Sequence, residues 1–345
     1  MGTKNPFRVG ITHDFQTHAK GVLAPALAEV FDRAGGIEYE IMPDTGGVGA
    51  PEKLDAYDGI IVLDYAFPAP SFQGLSRLAV LARWGVGCDR LDLNAATEAD
   101  VIVAITTDSV RRPVAEGIFA LIFALARNLR ALDRNIRAGD WRRDPPRVID
   151  IEGRTLGSIG LGNIAGEMFR MARGVGFGRL LAHDPSAEAP EAERLDVKLT
   201  DLDTVMRESD FITVNCPLTP QSRGLIGARQ LELMKPTAFL INTARGEVLN
   251  EPDLVAVLRE RRIAGAGLDV FATEPISAGH PLLEMDNVVL SPHLIARSED
   301  CVRNTSLSAC RNVLAVQRGT APPYVANPEV LSRPRVRARL PHLND

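Results

Sequence analysis

The stretch 155–184, TLGSIGLGNIAGEMFRMARGVGFGRLLAHD, decides how the rest of the chain is read. A short apolar segment, Leu156–Ile159, has the character of a buried strand, and a second one, Leu180–Ala182, ends on Asp184. Between them Gly160, Gly162 and Ala165 form the pattern G-x-G-x-x-A, followed by an amphipathic run through Ala172. Each part suits a dinucleotide. Gly160 permits the tight turn from strand to helix. Gly162 carries no side chain, so pyrophosphate oxygens can reach backbone N–H groups at the helix N-terminus, where the dipole favours anions. Ala165 is small enough for the helix to pack close to the strand. Asp184 lies 22 residues beyond Gly162, at the tip of the second strand, where a carboxylate can accept hydrogen bonds from both ribose hydroxyls. A 2′-phosphate there would meet like charge, so NAD is expected in preference to NADP. The bland alternatives are an ordinary strand–turn–helix joint and a turn-forming aspartate before Pro185. Neither explains the complete strand–loop–helix–strand–acid order.

The bulk composition sets the frame around this motif. The chain has 345 residues, 45% hydrophobic and 24% charged, with a net charge of −5. That suits two globular domains, each able to bury a core, and the mild acidity leaves no nucleic-acid footprint. Cys88, Cys216, Cys301 and Cys310 show no C-x-x-C spacing and read as buried reduced thiols, with no metal-ligand pattern. The longest apolar run, Gly117–Ala126, is too short to cross a bilayer. The N-terminus lacks a signal-peptide pattern, and Pro6 breaks the acylation consensus that Met1-Gly2 suggests. A cytoplasmic protein is expected.

Upstream of the motif, Phe7–Thr12, Tyr39–Met42, Gly59–Leu63, Leu78–Trp84 and Val101–Ile105 read as strands. Ala19–Ala34 and Leu91–Ala99 have helical spacing. This alternation predicts a parallel sheet covered on both faces, a second α/β domain without the glycine fingerprint and so a candidate for substrate contacts. Gly85-Val86-Gly87 closes its fourth strand, where Val86 and Gly87 could offer backbone N–H groups to an anion or simply form a turn. Asp108–Pro113, with two arginines and a proline, reads as a hinge. A long helix, Val114–Gly139, apolar on much of its circumference, follows and is expected to be buried or shared with another chain. A homodimer through helix and loop 114–146 is therefore expected, with Trp141–Pro146 as the loop.

After Asp184 the rhythm continues with strands at Phe211–Asn215, Ala238–Asn242, Ala264–Leu268 and Val288–Leu290 and helices at Leu202–Arg207 and Pro252–Arg261. A further helix, Ser298–Val316, is expected to cross back to the first domain, and the arginine-rich tail from Arg333 reads as a frayed surface segment. The expected division is 1–112 plus 297–345 for the substrate domain and 113–296 for the dinucleotide-binding domain. Three polar residues follow strands of the latter: Arg245 in NTARG, Glu274 in GLDVFATEP and His293 in SPHL. Singly they read as a surface charge, a turn and an exposed histidine. At three strand ends beside a dinucleotide loop they make a base, a carboxylate to tune it and a guanidinium for an anionic substrate.

At these residues the chain resembles the NAD-dependent D-isomer-specific 2-hydroxyacid dehydrogenases, from about Phe7 to Val325. The resemblance rests on GVGCDRLDL (85–93), VAEGIFALIFALAR (114–127), TLGSIGLGNIAG (155–166), CPLTPQSRGLIG (216–227) and LMKPTAFLINTARGEVLNEPDLVAVL (233–258). AGLDVFATEP (266–275) and SPHL (291–294) complete it. It implies two doubly wound parallel-sheet domains, a Rossmann NAD-binding domain inserted into a flavodoxin-like catalytic domain. The implied reaction is hydride transfer between NAD(H) and C2 of a small 2-hydroxy or 2-oxo acid. His293 is the implied acid/base, hydrogen-bonded by Glu274, and Arg245 the implied ligand of the substrate carboxylate. Implied cofactor contacts are Gly160, Gly162, Asn163, Ile164 and Asp184, then Cys216 and Pro217. Thr243, Ala244, Asp269 and His293 complete them, Asp269 lying near the nicotinamide carboxamide. Val86 and Gly87 are implied carboxylate contacts.

Several departures bear on the substrate. The third glycine of the fingerprint is Ala165, a tolerated variant, and Gly117 stands where many members have histidine. Ala296-Arg297-Ser298 replaces mostly small residues and a threonine, so Arg297 is either a second cation at the pocket or a surface arginine. The segment Asp64-Tyr65-Ala66-Phe67 lacks the basic residue of phosphoglycerate-specific relatives, and no regulatory domain is expected after Val325. A glyoxylate- or hydroxypyruvate-like acid is expected. Two other readings share the fold and the three polar residues: a non-catalytic NAD-sensing corepressor and a phosphite dehydrogenase. Formate dehydrogenases carry glutamine where Glu274 stands.

Overall fold

A computed structural model describes residues 6–142 and 145–342. Contacts divide the chain into two units: residues up to Val110 with those from Ser298 onward, and Arg111–Arg297.

The first unit is built on parallel strands β1 (Phe7–Ile11), β2 (Ile37–Ile41), β3 (Gly59–Val62), β4 (Val80–Arg83) and β5 (Ile102–Ala104), in the order β2-β1-β3-β4-β5. The inner strands read as apolar runs because both faces are covered. All of β3 is buried, whereas the middle of the edge strand β2 is exposed. One face packs on Phe31, Cys310 and Val313 and the other on Leu54, Phe67 and Phe72. The helix expected over Ala19–Ala34 starts later, at Ala24, and runs to the expected end at Ala34. Gly21 takes a φ of 78° in the turn before it, and Pro25 occupies the first helical turn, where its missing N–H is no loss.

Helix α1 (Thr107–Ala126) carries the chain from the first unit into the second. The expected hinge at Asp108–Pro113 is therefore helical, with Pro113 inside the helix. Arg112, one of the residues that suggested a hinge, donates to Glu116 at 2.6 Å and to Glu167 at 3.1 Å. The single helix expected over Val114–Gly139 is two, because Asn128 adopts a left-handed conformation (φ 47°) before α2 (Leu129–Arg137) begins. One such residue cannot continue a right-handed helix. Trp141 and Arg142 follow in the expected loop; Arg143 and Asp144 lie outside the described residues.

The second unit holds parallel strands β6 (Thr155–Ile159), β7 (Arg179–His183), β8 (Lys198–Leu199), β9 (Phe211–Val214), β10 (Phe239–Asn242), β11 (Gly265–Leu268) and β12 (Val288–Leu290). Their order is β12-β11-β10-β9-β6-β7-β8, so it reverses between β6 and β9. A crevice opens at the carboxyl ends of strands at such a switch point. Helix α3 (Asn163–Val175) leaves from β6 at that point and packs with α1 over one face, through Ile118, Ile122, Met168 and Phe169. Val205, Leu231, Leu254 and Leu258 cover the other face.

The chain returns through α4 (Glu299–Gln317), where the Ser298 hydroxyl accepts from the Cys301 N–H at 3.1 Å. It ends in α5 (Pro334–Arg339), and this docked helix corrects the expectation of a frayed tail. Val336 and Leu340 are each 1% exposed, and Arg339 donates to the carbonyls of Ser76, Arg77 and Leu78. Arg333 pairs with Asp100. Arg333, Arg335 and Arg339, three of the four arginines that suggested a solvated segment, thus satisfy loop carbonyls and an acid, while Val336 and Leu340 enter the core. No helix among the described residues is long and apolar enough to cross a membrane.

Candidate active site

The carboxyl ends of the second unit's strands carry almost every residue singled out for chemistry. After β6, Gly160 takes a φ of 101°, and a Cβ there would lie 2.7 Å from the Asn215 carbonyl carbon and 2.8 Å from the Cys216 nitrogen. Only glycine fits. At Gly162 a Cβ would meet nothing within 4 Å, so the space before α3 is open. Neither a side-chain cap nor an acidic residue occupies the first turn of α3, which begins with Asn163 and Ile164. Its N–H groups and dipole are thereby left for an anion. Ala165 is fully buried, and the close packing of helix on strand requires that small side chain. These features fit a dinucleotide pyrophosphate.

Asp184 follows β7, forms the turn weighed above, and has a further task that the sequence did not disclose, bracing the glycine loop. Its Oδ2 accepts from the Leu161 N–H at 2.8 Å, and its Oδ1 accepts from the Ser186 N–H and hydroxyl at 2.9 and 2.7 Å. Burial pushes its pKa up, but these hydrogen bonds outweigh burial and hold the carboxyl below its ordinary value. The carboxylate therefore stays ionised, braces the glycine loop, and keeps acceptor capacity for a ribose hydroxyl. Cys216, followed by Pro217, sits beyond β9 at the same edge; burial pushes its thiol up to about 11, so it is neutral and unreactive.

Beyond β10, Asn242 is fully buried and shapes the next turn. Its Oδ1 accepts from the Ala244 N–H at 3.0 Å and its Nδ2 donates to the Arg245 carbonyl at 2.8 Å. This brace sets the path of Thr243, Ala244 and Arg245. Sequence reasoning missed it, although a lone asparagine ending the apolar run FLIN was the available signal. Next to it, a Cβ on Gly246 would lie 1.9 Å from the Phe271 carbonyl carbon. That glycine lets the Arg245 loop press against the loop after β11. Two strand-end loops are thus locked together.

The loop after β11 brings Asp269 and Glu274, and the turn after β12 brings His293. His293 Nδ1 lies 2.8 Å from Glu274 Oε2. An ionised carboxylate only accepts, so Nδ1 carries the hydrogen and Nε2 is the ring nitrogen left for a substrate. Glu274 Oε1 accepts from the Phe271 N–H at 3.0 Å, which fixes the carboxylate from behind. The hydrogen bond to Glu274 raises the His293 pKa above its ordinary value against the opposing pull of burial. Burial pushes Glu274 the other way from its net shift, but hydrogen bonds from His293 and Phe271 hold it below the usual carboxylate range. The positive charge of Arg245 acts on both groups, lowering each. The three polar residues form one cluster.

Asp269 is 97% buried, with 3% of its surface exposed, and burial raises its pKa against several hydrogen bonds. Its carbonyl accepts from the His293 N–H at 2.7 Å. Its Oδ1 accepts from the N–H groups of Leu294 and Ile295 at 3.0 and 3.1 Å. Asp269 thus holds the turn on which His293 sits with a left-handed φ of 56°. Arg297, the last residue of this unit, is exposed, and its guanidinium makes no hydrogen bond or ion pair among the described residues. Val86 and Gly87 belong to the other unit, where Arg83 braces their turn through Nε to the Gly87 carbonyl at 3.1 Å. A cavity of about 570 Å³ in the second unit opens beside Pro236, Ile263 and Asn287, at the amino ends of the strands, away from this cluster. No three His, Cys, Asp or Glu side chains among the described residues are grouped to hold a metal.

The family model for the D-isomer specific 2-hydroxyacid dehydrogenase, NAD binding domain, matches residues 119–294. The chain is 36% identical over 285 residues to a glyoxylate reductase of Korarchaeum cryptofilum, covering 81% of this chain and 86% of that protein. It is 33% identical over 301 residues to a D-3-phosphoglycerate dehydrogenase of Archaeoglobus fulgidus, covering 86% of this chain and 57% of that protein. A glyoxylate reductase structure from Paecilomyes thermophila matches with a TM-score of 0.80 at 25% identity, covering 94% of this chain and 99% of that one. The glycine cradle, the clustered strand-end residues and these similarities agree: the chain belongs to the D-isomer specific 2-hydroxyacid dehydrogenases, NAD-dependent oxidoreductases acting on a CH–OH group.

Proposed function

We propose that the chain reduces a small unphosphorylated 2-oxo acid of the glyoxylate or hydroxypyruvate kind to the corresponding 2-hydroxy acid, the D isomer wherever C2 becomes a stereocentre. The observation that carries the chemistry is the 2.8 Å pair of His293 Nδ1 and Glu274 Oε2 under the charge of Arg245. NADH, held by the glycine loop and Asp184, would supply the hydride to C2. His293 Nε2–H gives its proton to the oxygen at C2, and Glu274 stabilises the imidazolium that must be present beforehand. Arg245 takes the substrate carboxylate in a planar, two-pronged grip that fixes the face of C2. Arg297 is assigned a second acidic group where the substrate has one, an assignment that its sequence position supports. The substrate class draws support from the similarity to glyoxylate reductases.

Asp184 carries the preference for NAD over NADP, since an ionised carboxylate repels a 2′-phosphate. NADH oxidation measured across glyoxylate, hydroxypyruvate, pyruvate, a branched-chain, an aromatic and a dicarboxylic 2-oxo acid tests both points, with NADPH alongside. Turnover on the two smallest acids is expected with NADH. Asp184→Ala is expected to cut the NADH-over-NADPH preference by about tenfold or more. An unchanged ratio removes the assignment of Asp184, and tight NADH binding without turnover on any acid favours a sensor.

The quaternary reading is a cytoplasmic homodimer through 114–146. Six of the exposed large hydrophobic residues fall within one stretch: Phe123, Leu129, Leu132, Ile136, Trp141 and Val148. On α2, Leu129, Leu132 and Ile136 face outward while Ala131 is turned inward, so the helix shows its apolar side to whatever covers it. Light scattering is expected to report a dimer, and Ile136→Asp to weaken it by about tenfold or more. A monomeric wild type would overturn this.

A further inference from the structure

Gly117 occupies the interior of α1, where glycine is among the poorest helix formers. Its missing side chain has a definite neighbour. A Cβ built on Gly117 would lie 2.8 Å from Ile295 Cγ1, 2.9 Å from Cγ2 and 3.3 Å from Cβ. These are the branching atoms of a β-branched side chain, stiff at χ1 and unable to swing aside as a long flexible end would. Ile295 lies two residues beyond His293, and its N–H is one of the pair that Asp269 holds. The turn bearing His293 is therefore fixed from two sides. Asp269 grips its backbone, and Ile295 seats its apolar end on the bare backbone of α1.

We propose that Gly117 is a positioning residue for His293. The notch left by its missing side chain receives Ile295, and this seat sets the approach of His293 Nδ1 to Glu274. The inference rests on the acid/base role assigned to His293. Because the seat is close-packed, an added methyl cannot be absorbed without moving Ile295 or α1, and the imidazole lies only two residues from the point that moves. Sub-ångström misplacement of a proton donor is costly in turnover even where binding is unaffected.

The test is a double-mutant cycle with Gly117→Ala and Ile295→Ala, read through kcat, the pH profile of 2-oxo acid reduction and the dissociation constant of NADH. Gly117→Ala is expected to lower kcat by about tenfold or more and to move the alkaline limb of the profile to lower pH, as the bond to Glu274 lengthens. NADH affinity should stay within about twofold. In the Ile295→Ala background, where the seat is already vacated, the same glycine substitution should cost no more than about twofold. If Gly117→Ala does not fold, Ile295→Ala alone should show the displaced alkaline limb, since it releases the turn from the other side. An unchanged kcat and limb in these variants, or an equal loss in both backgrounds, overturns the positioning role. A fully active His293→Ala, measured in parallel, would instead overturn the assignment of His293 itself.

Discussion

Replacing His293 with alanine is expected to lower kcat for 2-oxo acid reduction by about 10²–10⁴-fold while leaving the NADH dissociation constant nearly unchanged. The asymmetry follows from geometry. The ring's Nδ1 is committed to Glu274 at 2.8 Å, which leaves its other nitrogen for the proposed proton transfer, and the glycine cradle and Asp184 proposed to hold the dinucleotide lie on other strands. Steady-state assays with fluorescence titration of NADH separate the two effects, and retention of most activity would remove His293 from the mechanism. The pH dependence carries a sign that can be checked in the wild type. Glu274 raises the His293 pKa above the ordinary 6.5, so the imidazolium needed for reduction persists above that value and is lost as pH rises through the raised pKa. Oxidation of the hydroxy acid needs the neutral ring and grows over the same interval. Glu274→Gln keeps a hydrogen-bond acceptor but removes the charge, and should draw both transitions back toward the ordinary value.

Replacing Arg245 with glutamine is expected to lower kcat/KM by about 10²–10³-fold, the cost of leaving a substrate carboxylate without its charged partner. Lysine should recover little of this, because a point charge does not reproduce the planar fork of a guanidinium. The Asn242 brace and the close approach of Gly246 to Phe271 fix the backbone of this loop independently of the Arg245 side chain. NADH binding should therefore survive both substitutions. A KM for the acid that does not rise would place the carboxylate elsewhere.

The two sheets were readable because buried parallel strands must be apolar on both faces, so GIIV, FITV and VVL stand out against polar loops. The glycine loop was readable because each of its small residues answers a different steric demand. Arg245, Glu274 and His293 could be placed at strand ends by counting from those runs. What escaped reading depends on contacts between distant segments. Nothing in NTARG reveals that Gly246 must clear the backbone of Phe271, nor does GLDVF show that Asp269 caps the His293 turn. The break at Asn128 turns on one left-handed residue in an otherwise uninterrupted helical pattern. The docked C-terminal helix escaped because its arginines resemble a solvated surface until their carbonyl partners are known.

The interleaving of the two units has a consequence during synthesis. The core of the first unit contains Leu307, Cys310, Val313, Val336 and Leu340 beside Val9, Phe31 and Ile61. The ribosome must therefore make all of Arg111–Arg297 before the nascent first unit receives its missing residues. At about 5–20 residues per second that interval is roughly 10–40 s. During it the second unit, encoded as one unbroken stretch, can already fold, while β1 to β5 wait with an apolar face uncovered. The half of the protein that carries the glycine cradle and His293 is thus the half that matures first, and the half exposed to chaperones and to aggregation is the other.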